Sequence, residues 1–268
     1  MNPFRFSTPT ALATVLGASL VLLLVLPFVT LAFSTSVSDL RAAYEHPMFA
    51  PALKLSLGTS LASLGLTALL GTPLAWWLAT TPSRVGRITE IAVQLPIIVP
   101  PAVVGGALLQ TFGRRGLLGG LLSDLGVQLP FSVQAVVLAQ ILVSSPFFVQ
   151  TATSTFRELD RDLTIVARTL GASPTEAFIR VALPAAAPGL LTGASLSCAR
   201  ALGEFGATLL FAGNMPGVTQ TMPLAIFTAL ESDVRLAIVL ALVLVALGAA
   251  LLAAVRTFPT FASAASKS

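Results

Sequence analysis

Apolar and polar residues are segregated along this chain into long blocks. Runs rich in Leu, Val, Ala, Ile and Phe cover 11–33, 53–79, 91–111, 131–155, 185–212 and 234–255, with shorter polar stretches between them. A membrane-crossing helix needs about 20 consecutive apolar residues. The pattern therefore predicts an all-α integral membrane protein with six spans in one domain, 1–268. The first run holds Pro27 and has only Arg5 before it. It is longer than the apolar core of a signal peptide and is expected to persist as a first helix. The second ends in Trp76-Trp77, a pair suited to the lipid–water interface. The third contains Pro96, Pro100 and Pro101, followed by Gly105-Gly106. That predicts a kinked helix, tolerated where irregular backbone is buried in protein or lines a cavity. The fourth contains Pro146, and the fifth carries Arg200, Gly203, Glu204 and Gly206.

The polar stretches differ in character. Residues 34–51 read as a polar loop with Asp39, Arg41, Glu45 and His46, and 80–90 as a short turn with Arg84 and Arg87. Residues 112–130 form a Gly-rich loop bearing Arg114, Arg115 and Asp124. The stretch 213–233 is part polar and part apolar, a loop able to dip partway into the membrane.

The stretch 156–184 stands out. It carries Arg157, Glu158, Asp160, Arg161, Asp162, Arg168, Glu176 and Arg180, so it cannot lie in hydrocarbon although apolar runs flank it. Leu163, Val166, Ala167 and Leu170 recur at helical spacing. Gly171 follows, where a helix C-terminus favours a left-handed residue. Ser173-Pro174-Thr175-Glu176 then supplies an N-cap, a proline in the first turn and a capping box. Two short helices meeting at a sharp corner are expected, the second stopping or kinking near Pro184. Physics alone leaves two roles open: an amphipathic hairpin lying on the bilayer, or a docking surface for a soluble partner.

Composition agrees with the pattern. Apolar residues make up 55% and charged residues 10% of the chain, against about 25% charged in soluble domains; mean hydropathy is +0.91. The net charge of +4 is scattered, with no basic run that would engage nucleic acid. Cys198 is the sole cysteine and His46 the sole histidine, which excludes an intrachain disulfide, a Cys/His metal cluster and imidazole triads. His46 reads as a solvated loop residue. The sequence has no Gly-rich loop ending in Gly-Lys-Ser/Thr, so ATP, if used, binds another subunit. Six spans place both termini on one side. An N-inside orientation puts Arg5, Arg84, Arg87, Arg157, Arg161, Arg168, Arg180, Arg256 and Lys267 inside, against Arg41, Lys54, Arg114, Arg115 and Arg235 outside. That asymmetry predicts cytoplasmic termini and a cytoplasmic 156–184 loop.

Arg200 and Glu204 stand four residues apart, at i and i+4 on one helix face. A charge at the centre of a span costs about 2.5–3.5 kcal/mol, which pairing reduces. The pair either fixes the packing of the fifth helix or lines or latches a translocation path. Gly203 and Gly206 permit close helix approach.

Gly171, nine residues, then Val181-Ala182-Leu183-Pro184 resembles the second half of the cytoplasmic EAA loop of ABC importer permeases. Ile165-Val166-Ala167 stands where that family has Glu-Ala-Ala, so its carboxylate is missing. Ala199–Thr208, Phe211–Gly217, Thr219–Ala225, Leu95–Pro101 and Phe112–Gly116 look like the oxyanion subgroup, with wording nearer molybdate and tungstate than sulfate. The resemblance implies a MetI-like type I importer fold and alternating access. It implies two permease copies in lipid, two cytoplasmic ATPase subunits that hold the ATP-Mg, and an external oxyanion-binding protein; this chain would bind no cofactor or metal and have no catalytic residues. It assigns ATPase coupling to Arg168, Thr169, Leu170, Gly171, Ala172, Ser173, Pro174, Glu176 and Ala177. Pathway or gate positions are Pro96, Pro100, Pro101, Arg200, Gly203, Glu204 and Gly206. Asn214, Pro216, Gly217, Thr219 and Gln220 fall on the binding-protein side. The alternatives are a sulfate/thiosulfate importer permease and an ion-coupled secondary transporter. The latter needs ionisable residues in several spans, where only Arg200 and Glu204 qualify.

Overall fold

The computed structural model describes residues 8–265, and every regular element among them is helical. In chain order these are α1 Thr8–Phe33, α2 Val37–Glu45, α3 Phe49–Thr80, α4 Arg84–Ile98, α5 Pro101–Phe112, α6 Gly119–Asp124 and α7 Val133–Glu158. They continue as α8 Arg161–Thr169, α9 Pro174–Ala177, a π-helical turn Phe178–Ala182, α10 Leu183–Leu202, α11 Gly206–Ala212, α12 Met222–Ser232 and α13 Val234–Ala265. Arg5 and Lys267 lie outside the described residues, as do the side chains of Arg161 and Arg256.

The helices α3, α7 and α10 form the centre of the bundle. Along α3, Ser56, Ser60, Ser63, Thr67 and Gly71 recur every three or four residues and are all buried. Lipid is as apolar as leucine, so spans associate through close backbone approach and shape, which small residues allow. A Cβ on Gly71 would stand 2.9 Å from the Phe148 ring of α7. A second cluster joins α2, α3, α12 and α13 through Ala43, Phe49, Met222 and Leu240. A third joins α5, α7 and α11 through Val104, Val136 and Phe211. Helix α1 runs along the outside against α13, with Leu16, Leu20 and Leu23 more than half exposed. Apolar on all sides, it suits a lipid environment.

Among the described residues, five helices are long and apolar enough to cross a membrane: Leu12–Phe33, Phe49–Thr80, Val133–Glu158, Pro174–Leu202 and Val234–Ala254. The pair α4 and α5 makes a sixth candidate, bent by 115°. This corrects the expectation of one kinked helix in the third run. A residue before proline is pushed out of the helical region. Val99 and Pro100 both precede prolines, and both are extended, with ψ of 131° and 136°. Two successive blocks end the helix, whereas the single Pro96 leaves α4 intact.

Three further departures have local causes. Residues 34–51 are not all loop: Ser36 and Asp39 form a reciprocal capping box that starts α2. Pro184 does not stop the second helix of the corner, because α9, the π-helical turn and α10 run on as one. The wide turn closes with Leu183 N–H donating to Phe178 O, and it absorbs the proline's missing donor within the first turn of α10. The fifth run is broken: α10 ends at Leu202 and α11 begins at Gly206.

Candidate functional site

Two places on the molecule depart from plain apolar helix packing. The first is the corner between α8 and α9. Asp160 caps α8, its carboxylate accepting from Asp162 N–H at 2.9 Å. At the other end Gly171 adopts φ +96°, a left-handed conformation. Gly171 N–H donates to Arg168 O and Ala172 N–H to Ala167 O, both at 3.1 Å. This paired closure is the standard way of satisfying the last carbonyls of a helix, and it reverses the chain. Ser173 Oγ then accepts from Glu176 N–H at 3.2 Å, and Glu176 Oε2 accepts from Ser173 N–H at 2.9 Å. The Ser173 N–H, then the Ser173 hydroxyl and the Arg180 charge, hold the Glu176 carboxyl below its ordinary value.

The corner is polar in framework and apolar in face. Leu163, Ile165, Val166 and Leu170 are exposed, Leu170 at 83%. This apolar cluster sits on an otherwise charged loop. Ile165, where a glutamate was absent, is part of this face.

Aromatic rings join the corner to the bundle. Phe178 of the π-helical turn lies 5.2 Å from Trp76 of α3 and 6.1 Å from Phe156 of α7, between ring centroids. Trp76 meets Phe156 edge-on at 5.2 Å. Trp76 therefore packs within the protein as part of this cluster rather than serving only as an interface anchor. Beside it, Arg157 of α7 donates to both carboxylate oxygens of Glu90 in α4, at 3.1 and 3.0 Å, and to Leu78 O at 3.4 Å. The ends of α3 and α7, the middle of α4 and the π-helical turn are thus tied together beneath the corner.

The second place is the elbow where two helix breaks meet. A Cβ on Gly105 of α5 would stand 2.8 Å from Ala207 O of α11, and one on Gly206 would stand 3.2 Å from Ala102 N and from Pro101 Cβ. These two glycines let α5 and α11 cross backbone to backbone. In the 203–205 linker, Glu204 is 1% exposed. Its Oε1 accepts from Ala207 N–H at 2.8 Å, capping α11. Arg200 Nη2 stands 2.8 Å from Glu204 Oε2, an ion-pair distance, and the Arg200 side chain is 27% exposed. The expected pair exists, but not on one helix face: Arg200 lies in the last turn of α10 and Glu204 in the linker before α11. Both Pro101 and Gly206 belong to this elbow, and Pro100 adjoins it; Gly203 is exposed beside it. Pro96 instead lines a groove with Thr67, Gly71 and Val149.

Residues 71–259 match the model of the family described as "Binding-protein-dependent transport system inner membrane component". The Molybdenum transport system permease protein ModB of Mycobacterium tuberculosis is 42% identical over 224 residues, 84% of this chain and 85% of that protein. The chain belongs to this permease family. The Probable sulfate transport system permease protein cysT of Nephroselmis olivacea is 34% identical, over 73% of this chain and 69% of that one. Among solved structures, a bacterial ABC transporter involved in import of the acidic polysaccharide alginate shares the fold. Its TM-score is 0.73 at 15% identity, covering 92% of this chain and 94% of that one. The corner and the elbow both fall within the matched residues of this inner-membrane permease.

In the permease, the 213–221 segment is tied down from within. Gln220 Nε2 donates to Asn214 Oδ1 at 3.0 Å, and Asn214 Nδ2 donates to Thr228 Oγ1 at 2.9 Å. Thr219 Oγ1 accepts from Met215 N–H at 3.0 Å. Thr219 and Gln220 are buried, so of the five residues expected on an external docking side only Pro216 and Gly217 are exposed, with Asn214 half-buried. Met222 N–H, at the start of α12, donates to Ser56 Oγ of α3 at 2.7 Å.

Sequence reasoning missed Gln140. It is 1% exposed in α7 and its Nε2 donates to Ser60 Oγ at 3.3 Å and to Ala201 O at 3.2 Å. Ala201 O also accepts from Glu204 N–H at 3.1 Å, in the turn that ends α10. The signal was there: Gln140 lies in the interior of the fourth apolar run.

Proposed function

We propose that this chain is the transmembrane subunit of an ATP-driven importer of molybdate, with tungstate as an alternative cargo of the same charge. The observation that carries the substrate is the 42% identity, over 84% of the chain, to a permease named for molybdenum transport. Identity to the sulfate-named relative is 34% over a shorter stretch. Two copies would enclose the path, and an external binding protein would deliver the anion near Pro216 and Gly217. Two cytoplasmic ATPase subunits would bind ATP-Mg.

In this reading the termini are cytoplasmic and the corner, from Arg168 to Ala177, is the coupling element. Closure of the ATPase pair moves it. The Trp76–Phe156–Phe178 cluster passes that movement to α3 and α7, and the π-helical turn passes it to α10. A bundle with two arrangements is then biased from inward- to outward-facing. Permeation requires weak binding along the path, so specificity rests with the binding protein.

Purification of the tagged full-length chain from its native membrane, with identification of what accompanies it, tests the assembly. The expected partner is a soluble subunit with a Gly-rich phosphate-binding loop. Purification of the chain without any nucleotide-binding subunit, from a membrane where transport is active, would overturn the proposal.

A further inference from the structure

We infer that Arg200 is the residue that carries the oxyanion past the elbow, by exchanging its Glu204 carboxylate for the anion while Glu204 stays capped on α11. This rests on the importer reading above and assigns its path a specific cation.

Three observations carry the inference. First, the two partners are unequally placed. Glu204 is 1% exposed and holds a second bond, from Ala207 N–H at 2.8 Å. Arg200 is 27% exposed and contacts the other carboxylate oxygen. If the guanidinium swings away, Glu204 keeps its hydrogen bond from Ala207 N–H; Arg200 is the mobile member. Second, Arg200 continues an exposed stripe on α10. Pro188, Thr192 and Leu196 precede it at intervals of four, and Gly203 follows. A stripe turned only towards lipid has no use for a guanidinium, whereas one lining a polar passage does. Third, the elbow is where α5 and α11 both begin, with Pro101 and Ala102 exposed across from Gly206.

The exchange solves a problem of strength. A free guanidinium in a low-dielectric passage binds a tetrahedral dianion tightly through its fork of donors and would stall it. A guanidinium that must first leave a carboxylate gains only the difference between two ion pairs, which keeps the site weak. When the anion departs, Glu204 reclaims Arg200 and the elbow is neutral again.

The test uses the full complex with its ATPase and binding protein in vesicles, measuring ATP-driven uptake of labelled molybdate beside ATP hydrolysis. Arg200→Gln and the double change Arg200→Leu with Glu204→Leu are expected to assemble and hydrolyse ATP in response to the loaded binding protein. Both are expected to lose uptake by about ten-fold or more. Arg200→Lys, which keeps a charge without the fork, retains a measurable part. A double variant with uptake within about two-fold of wild type would show a packing pair only and overturn the inference. A second readout needs no transport. Glu204→Gln keeps an acceptor for Ala207 and leaves Arg200 without its carboxylate, so millimolar molybdate should raise the Tm of that complex. Chloride at equal ionic strength should not, and Arg200→Gln added to it should abolish the shift. No molybdate-specific shift in Glu204→Gln would equally overturn the inference. Failure of the wild-type complex to take up molybdate would count against the importer reading instead.

Discussion

Gly105 of α5 faces Ala207 of α11 so closely that a Cβ on the glycine would stand 2.8 Å from the Ala207 carbonyl oxygen. Backbone atoms cannot step aside as side-chain ends do. Gly105→Ala must therefore push the two short helices apart, at a cost of about 1–3 kcal/mol. Expected are a lowered Tm of the detergent-extracted complex and impaired transport. Gly106 has open space at its Cβ, so Gly106→Ala is the control. Equal behaviour of the two variants would contradict the close crossing.

The corner makes a different demand. Gly171 has nothing near its Cβ, but its φ of +96° is one that β-branched residues avoid. Gly171→Val should leave the spans intact, disturb the turn, and leave ATP hydrolysis uncoupled from uptake. Normal uptake in a correctly inserted Gly171→Val complex would remove the corner from the coupling role. Ser173→Ala acts more gently, loosening the cap by about 0.5–2 kcal/mol.

The same cap has a pH signature. The Glu176 carboxyl is held below its ordinary 4.5, first by Ser173 N–H, then by the Ser173 hydroxyl and Arg180. A carboxylate with a lowered folded value stabilises fully above its unfolded value, and that contribution fades as pH falls through the folded one. Amide exchange at Ser173 should be constant from pH 7 to 5 after correction for intrinsic rate, and should rise as pH falls below the ordinary carboxylate value of 4.5. Glu176→Gln should remove the acid-dependent rise. Exchange in the wild type that is insensitive to acid would show that the box is not formed.

Topology can be read directly. In a Cys198→Ala background, Gly120→Cys should react with a membrane-impermeant maleimide from outside, and Asp160→Cys only from the cytoplasmic side. The reverse pattern would place the corner out of reach of any ATPase.

Much of this was legible in the primary structure. The six apolar runs, the Ser173–Glu176 box and the left-handed Gly171 all follow from local rules, and local rules depend on neighbours in the chain. The two helix breaks were harder. Pro100-Pro101 announced a disturbance, but whether it kinks or breaks depends on whether the rest of the bundle accepts a 115° turn. Glu204 was expected to pair with Arg200 along a helix. Its second bond, from Ala207 N–H, instead ties it to the first turn of the next helix, and nothing in the spacing distinguishes the two. Gln140 and the Trp76–Phe156–Phe178 cluster join residues far apart in sequence, so hydropathy alone could not bring them together.

The central claim is that a cytoplasmic ATPase, acting through the corner, drives molybdate across this permease. Inside-out and right-side-out vesicles holding the complete complex test it most directly, with labelled molybdate, loaded binding protein and a controlled ion gradient. Uptake is expected only with hydrolysable ATP on the corner side, unchanged when the proton and sodium gradients are collapsed, and competed more strongly by tungstate than by sulfate. Uptake that survives removal of ATP and follows an ion gradient would contradict the claim and identify a secondary transporter.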